Sequence, residues 1–416
     1  MQKSRLILLV TALISVSILL ACNDQPAGKE YSKPVVVMLS LDGFRWDYPD
    51  LYETPNLDRM AEMGVKARAI IPSFPTKTFP NHYTMVTGLY PDHHGLVNNT
   101  YVDPVRKDTF RLGDRSKVED EYYYGGEPLW VTAKKQGLKT ASFFWVGSEA
   151  AIQGIRPDRW KRFDDRIPCG ERMDTVLKWL GLPPDTRPDL ITWYIEEPDG
   201  VAHHHGPFSI ETEMMVEQLD SLVGIFLDRL EKLPGKDPIN FILTSDHGMG
   251  ETRPAKWINI MDYMDNSMAD YILGYNPVIF IQPSTGMKDS IITLLSGIEH
   301  LEIYEKDKIP PHLHYGTNPR IAELVVVADS GWSIDTRDPV EGGPGGAHGY
   351  DYLNTDMHAI FYAMGPAFKK GYLTDKFYNI DIYPLICEIL ELEPAMVDGN
   401  LERVESMFPE KHTVRN

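Results

Sequence analysis

Three apolar, β-branched runs in this sequence each end in an aspartate. Val35–Leu41 leads into Asp42-Gly43, and Leu190–Ile195 leads through Glu196-Glu197-Pro198 into Asp199. The run from Phe241 to Ser245 leads into Asp246-His247-Gly248. One strand ending in Asp is unremarkable, because Asp-Gly readily starts a turn. Three of them place carboxylates where open α/β sheets bind ligands, in the crevice beyond the carboxyl ends of the strands. Carboxylates gathered there repel one another unless cations hold them together. Histidines accompany them: His203 lies four residues after Asp199, His247 adjoins Asp246, and His348 sits in the glycine-rich stretch Gly342 to Tyr350. Taken alone, His203-His204-His205 reads as a polar surface turn. Three separate segments that set His beside Asp or Gly-rich turns favour a metal site. Mixed imidazole and carboxylate ligation suits zinc.

A second stretch, Pro75-Thr76-Lys77-Thr78-Phe79-Pro80-Asn81-His82-Tyr83, carries a hydroxyl in a suggestive place. Pro80 fits the first turn of a helix running to Thr87, before Gly88. Thr78 then stands at the helix N-terminus, where backbone N–H groups and the dipole stabilise an alkoxide or a phosphoryl oxygen. Capping the helix is an equally ordinary use of a threonine, and this stretch alone does not decide between the two.

The elements that must position these groups alternate. Strand-like runs at Val35–Leu41, 141–146, Leu190–Ile195, Ile239–Thr244 and 358–363 are separated by helical patterns, the clearest an apolar i, i+3, i+4 stripe over 210–233. That alternation predicts a mainly parallel sheet sandwiched by helices. Residues 251–342 read differently, with short strand-like pieces (277–281, 322–328) and proline-rich stretches, and are expected to form a smaller inserted capping region. The core is then 34–250 together with 343–416.

Bulk properties narrow the class. The 416 residues are 43% hydrophobic and 24% charged, as in a folded globular protein. The net charge of −19 argues against nonspecific nucleic-acid binding, which needs Lys and Arg to neutralise phosphates, so no nucleic-acid partner is expected. Lys3 and Arg5 precede the apolar run Leu6 to Leu20, which ends in Leu-Ala-Cys at residues 20–22. About 15 apolar residues are short for a membrane span, which takes about 20. Residues 1–21 therefore read as a lipoprotein leader, with Cys22 the lipidated residue and 22–33 a tether; an uncleaved signal anchor, or an ordinary signal peptide with a chance cysteine, are the other readings. The expected location is the periplasm or cell surface, held to the membrane by that lipid only. Beyond Cys22 only Cys169 and Cys387 remain; Cys387 lies in an apolar run, which favours a buried free thiol over a disulfide.

Taken together, the segments Leu41-Asp42-Gly43, Pro75 to Tyr83, Thr87 to Pro91, His94 to Asn99, Trp130 to Trp145, Glu196 to Asp199 and Ser245 to Met249 resemble the nucleotide pyrophosphatase/phosphodiesterase family, bacterial type, of the alkaline phosphatase superfamily. The resemblance runs from about Val35 to Leu392. It implies an alkaline-phosphatase-like fold and two zinc ions per chain. Asp199, His203 and His348 would hold one ion. Asp42, Asp246, His247 and the Thr78 oxygen would hold the other. It makes Thr78 the nucleophile and Asn99, with the Thr78 N–H, the holder of a non-bridging phosphate oxygen. Phe79 and Phe163 become the two rings that sandwich a base, with Trp160 a rival for the second. Ala202 departs from the family's usual glycine before the ligating histidine, so His204 and His205 compete with His203 for the ligand role.

The implied chemistry is hydrolysis of nucleoside 5′-phosphodiester or pyrophosphate bonds through a phospho-threonine, releasing a 5′-monophosphate from small nucleotide substrates. Other readings remain within reach of the sequence: a phosphomonoesterase, with Lys77 the only cation beside the nucleophile, a choline-lipid phosphodiesterase, or a silent metal- or nucleotide-binding lipoprotein. No cysteine lies near the Thr78 block, which disfavours a sulfatase.

Overall fold

Strand β1 (Val35–Leu41) is buried at all seven positions. Its side chains alternate between two apolar clusters, Val36 and Met38 on one face and Val35, Val37, Leu39 and Leu41 on the other. A strand that is apolar throughout belongs in the middle of a sheet covered on both faces, and the computed structural model places it there. The structure describes residues 33–233, 239–339 and 342–410; Cys22, the leader and the tether to residue 32 lie outside the described residues. No helix among the described residues is long and apolar enough to cross a membrane.

After β1 come helix α1 (Pro55–Met63), β2 (Val65–Ala67), α2 (Thr78–Thr87), β3 (Thr140–Phe143), β4 (Arg159–Lys161), α3 (Cys169–Leu180), β5 (Leu190–Ile195), α4 (Asp199–His205), α5 (Ile210–Leu230) and β6 (Ile239–Thr244). The chain then leaves the sheet through β7 (Gly250–Thr252) into a separate antiparallel sheet of β8 (Ala269–Tyr275), β9 (Val278–Pro283), β10 (Leu301–Glu305) and β11 (Leu324–Ala328). It returns through β12 (Gly345–Ala347), which pairs antiparallel with β7, and finishes with β13 (Phe361–Met364), β14 (Tyr372–Thr374) and α6 (Ile382–Ile389). The central sheet runs β14-β2-β13-β6-β1-β5-β3-β4. Only β13 runs antiparallel to its neighbours, against β6 and β2.

Helices cover both faces. Residues of α1, α3 and α5 fill one cluster, and residues of α2 and α6 fill the other. Helix α5 explains its own start: the Ser209 side chain accepts from the Thr212 N–H, Glu211 and Glu213 follow in the first turn, and Arg229 sits in the last. The inserted sheet has two buried faces as well. Ile279, Ile281, Leu324 and Val326 pack in a cluster with the helix Lys288–Leu295, while Val278, Phe280, Val325 and Val327 join the cluster that holds α2.

Some expected bounds move. The strand read over 141–146 stops at Phe143 because Phe144 takes a left-handed backbone, φ 70°. The last strand starts at Phe361, since Ala359 instead bridges Arg45 and Ile70. The helix read over 210–233 ends at Leu230.

Register sets the site. Leu41 of β1 pairs with Ile195 of β5, and Ser40 pairs with Thr244 of β6, so the three strands end together. The turn after β6 is packed against the segment before β13: a Cβ on Gly248 would lie 2.1 Å from the Asp356 oxygen and 2.6 Å from the His358 oxygen. Both are backbone atoms, and overpacking of this kind costs about 1–3 kcal/mol or more. Gly248→Ala is expected to lower the unfolding free energy by that amount, seen as a lower urea midpoint at an unchanged m-value; an unchanged midpoint would show the turn to be slack.

Candidate active site

Asp42 directly follows β1, Asp246 follows β6 by one residue, and Asp199 opens α4 three residues after β5. One helical turn on, His203 presents its Nε2 3.4 Å from Asp199 Oδ2, the i, i+4 relation expected on one helix face. His247 follows Asp246, and His348 follows β12, so the neck of the inserted region delivers the third imidazole.

Each imidazole is aimed by its other nitrogen. Nδ1 of His203 donates to the Gly346 carbonyl at 2.7 Å, Nδ1 of His247 to the Gly248 carbonyl at 2.9 Å, and Nδ1 of His348 to the Thr76 carbonyl at 2.7 Å. A carbonyl only accepts, so Nδ1 carries the hydrogen and Nε2 turns a lone pair toward the carboxylates, as in metal sites. His247 Nε2 then lies 3.0 Å from Asp246 Oδ2, 3.5 Å from Asp42 Oδ1 and 3.4 Å from Thr78 Oγ1. His348 Nε2 is 3.5 Å from Asp199 Oδ1. Asp42 Oδ1 and Asp199 Oδ1 are buried with no hydrogen-bond partner. Buried acceptors facing acceptors cost free energy unless a cation sits among them, and this donor set of imidazole nitrogen and carboxylate oxygen suits zinc.

Ligand-sized groups form twice, Asp42 with Asp246 and His247, and Asp199 with His247 and His348. The second differs from the expected trio by including His247, whose ring stacks on His348 at 3.6 Å. His203 stands beside it, with its ring 5.0 Å from that of His348. His204 and His205 are exposed, and neither lines the cavity, whereas His203 does. Burial, then repulsion from Asp246 and Asp199, pushes the Asp42 carboxyl well above its usual range. Burial and the neighbouring His247 push the His348 imidazole well below its own, keeping it neutral.

Thr78 is the first residue of α2, and Lys77 before it supplies no side-chain cap. Asn99 Oδ1 accepts from the Phe79 N–H at 2.9 Å, which leaves the amide nitrogen to donate into the cavity. Lys77, buried, donates instead to the Asn276 carbonyl of the inserted region at 2.6 Å, and burial lowers its ammonium to about 7. Thr78, Asp42, Asp199, His203 and His348 line one part of a cavity of about 400 Å³. Phe79, Leu112, Val118, Phe144 and Phe163 supply its apolar walls. Phe163 packs on Phe144 at 5.2 Å and Tyr194 at 6.3 Å. Trp160 lies outside that lining, on edge strand β4 beneath Arg156.

Three supporting residues were not singled out from sequence. The Tyr194 hydroxyl donates to Asp42 Oδ2 at 2.6 Å. His82 Nδ1 lies 3.0 Å from the Thr78 carbonyl and 3.2 Å from Asp246 Oδ2. Arg172, 1% exposed, grips Glu196 with both terminal nitrogens and sits over the Phe144 ring. The spacing of His82, four residues after Thr78 on one helix, was a usable signal; Arg172 gave none. The cysteines Cys169 and Cys387 are free thiols, as the apolar setting of Cys387 suggested.

Chelation is expected to lower the melting temperature and divalent cation to restore it, the cation adding about 4 kcal/mol of stability at a thousandfold excess over Kd. His203→Ala should lose much of that cation-dependent rise, and His204→Ala should keep it. A rise lost equally in both variants would contradict the placement of His203.

Comparison with known proteins agrees with this geometry. Residues 36–351 match the family described as Type I phosphodiesterase / nucleotide pyrophosphatase. Human ectonucleotide pyrophosphatase/phosphodiesterase family member 1 is 37% identical over 90% of this chain and 41% of its own length. Venom phosphodiesterase CdcPDE of Crotalus durissus collilineatus is 36% identical over 90% of this chain and 46% of its own. The chain thus spans less than half the length of these relatives. Among solved structures, murine ectonucleotide pyrophosphatase/phosphodiesterase 5, an inactive threonine-to-alanine variant in complex with AMP, superposes with a TM-score of 0.86 at 30% identity, covering 91% of this chain and 100% of that one. With its strand-end aspartates, tied imidazoles and helix-terminal threonine in place, the chain belongs to the type I phosphodiesterase / nucleotide pyrophosphatase family.

Proposed function

We propose that this protein hydrolyses nucleoside 5′-phosphodiester and pyrophosphate bonds, with Thr78 as nucleophile and two zinc ions per chain as cofactors. The observation that carries the reading is the position of Thr78. Its hydroxyl opens a helix, faces the aspartate–histidine cluster, and shares a cavity with the Phe79 and Phe163 rings. Asp199, His203 and His348 would hold one ion, and Asp42, Asp246, His247 and the Thr78 oxygen the other. Ions held by these residues would supply activation of the hydroxyl and an offset to the charge on the leaving oxygen.

The chain's own groups do the remainder. Thr78 Oγ forms a bond to phosphorus as the bond to the leaving oxygen breaks, and the threonine proton ends on that oxygen. Water then displaces Thr78, which regains a proton, and the 5′-monophosphate departs. Two in-line displacements retain configuration at phosphorus. The Asn99 amide and the Thr78 N–H receive a non-bridging oxygen whose charge grows in the transition state. Phe79 and Phe163 accept a base by stacking, worth about 1–3 kcal/mol and tolerant of base identity. The AMP bound by murine member 5 supports a nucleotide in such a site. A monoester carries additional charge, and the cation beside Thr78 is turned away to Asn276, which disfavours that reading.

The test is hydrolysis of a nitrophenyl nucleoside 5′-monophosphate ester against nitrophenyl phosphate, with zinc and after chelation. The diester should be preferred, Thr78→Ala should abolish turnover, and Asn99→Ala should lower kcat about 10²–10³-fold. Preference for the monoester, or activity surviving Thr78→Ala, would overturn the reading.

The leader and Cys22 support export and a lipid anchor. In a host that processes lipoproteins, labelled palmitate should enter the wild-type chain and not Cys22→Ser. Equal labelling of the two would exclude Cys22 as the lipid site.

A further inference from the structure

The inserted region touches both sides of the phosphate site without lining its cavity. On the nucleophile side, Lys77 donates to the Asn276 carbonyl at 2.6 Å, and Asn276 is itself fixed by the Ser333 hydroxyl at 2.9 Å and the Ile334 N–H at 3.0 Å. On the other side the inserted loop 315–320 lies along the segment 91–99, which ends in Asn99. The Tyr315 hydroxyl, buried, donates to the Val97 carbonyl at 2.6 Å, two residues before Asn99. Arg320 donates to the Gly95 carbonyl at 2.8 Å and to the Asp103 carboxylate at 2.9 Å. Gly95 takes φ 84°, a left-handed backbone that favours glycine, and a Cβ there would lie 2.7 Å from the Arg320 Nη1 and displace it. At the start of the same segment the Asp92 carboxylate accepts the N–H groups of Gly316, Thr317 and Asn318 at 2.9–3.0 Å.

We propose that Tyr315 and Arg320 are positioning residues for the reaction, holding Asn99 in register with Thr78 through the backbone of Gly95 and Val97. The inference rests on the assignment of Thr78 and Asn99 to the phosphoryl group. Its physical basis is that an oxyanion donor works only within a few tenths of an ångström of its target, and that a 1 Å misplacement costs up to about 10²-fold. Residues 95–99 lie beyond the short helix Pro91–His94 and carry no regular secondary structure until Thr100. A loop of that kind drifts unless something fixes its carbonyls, and here a different part of the chain does so, more than two hundred residues away in sequence. The inserted region is on this view a brace for the phosphate site, and its own sheet provides the rigid mount.

The experiment is a double-mutant cycle between Tyr315→Phe and Asn99→Ala, read as kcat and KM on the nitrophenyl nucleoside ester and on nitrophenyl phenylphosphonate, with melting temperatures alongside. Tyr315→Phe alone should lower kcat about tenfold with KM little changed. In the Asn99→Ala background the same change should cost less than about twofold, because the group it positions is gone. Arg320→Lys, which keeps the charge near Asp103 and loses the reach to Gly95, should behave in the same way. Equal losses in both backgrounds, or no loss in the wild-type background, would overturn the inference. An Asn99→Ala protein with full activity would remove the assignment beneath it as well. Loss on the sugarless phosphonate and the nucleoside ester alike is expected; a nucleoside preference that fails in the wild type leaves this inference standing.

Discussion

The fold is organised around a repulsion. Asp42, Asp199 and Asp246 stand at the ends of three adjacent strands, and Asp42 and Asp246 are fully enclosed. Two like charges 4 Å apart at an effective dielectric of 20 cost about 4 kcal/mol, and a cation among them turns that cost into attraction. Parallel pairing with matched registers forces these side chains together: once β5 and β6 flank β1 with their ends level, their turns open into one crevice. What the core stabilises, the crevice must then tolerate, and the apolar clusters on both faces of the sheet supply the means.

The histidines extend the same logic outward. Their Nδ1 groups are held by the carbonyls of Thr76, Gly248 and Gly346, which belong to the segment before α2, the turn after β6 and the returning neck of the inserted region. Cations drawn to these Nε2 atoms would therefore tie together segments far apart in sequence. The Thr76 carbonyl lies two residues before Thr78, so the group that orients His348 also fixes the approach to Thr78. Placement of the His348 imidazole and of the Thr78 hydroxyl is one mechanical system.

Much of this was legible from residue types. β1, β5 and β6 announced themselves as continuous apolar runs, and the aspartates at their ends marked the crevice before any topology was known. Thr78, Asn99, His203, His348 and Phe163 were all named from sequence and line one cavity, and His247, also named, lies beside Thr78 and Asp246. What stayed hidden has a common physical character. Arg172 and Tyr194 are single residues in unremarkable stretches whose partners lie elsewhere in the chain, and no local pattern encodes a contact that only the folded topology creates. Phe144 broke its strand early because its backbone is left-handed, a conformation that carries no signature in a bulky apolar residue. The inserted region was recognisable as different, yet its grip on Val97 and Gly95 runs through backbone carbonyls, which every residue possesses.

Charge gives the arrangement a further consequence. The chain carries −19, and its cavity presents aspartates to the anionic phosphate of the proposed substrate. Screening at physiological salt acts over about 8 Å, so the distant surface matters less than the charges within the cavity. Arg115, which lines the cavity, is committed to Glu149, and the basic side chains just outside the lining are committed as well, Lys77 to Asn276 and Arg172 to Glu196. No cationic side chain among these is left to receive the phosphate. On the proposed reading, substrate attraction would then come from the cations that reconcile the aspartates, together with the N-terminal dipole of α2 and the Asn99 amide. Holding the site together and admitting an anionic substrate are in this protein a single electrostatic requirement.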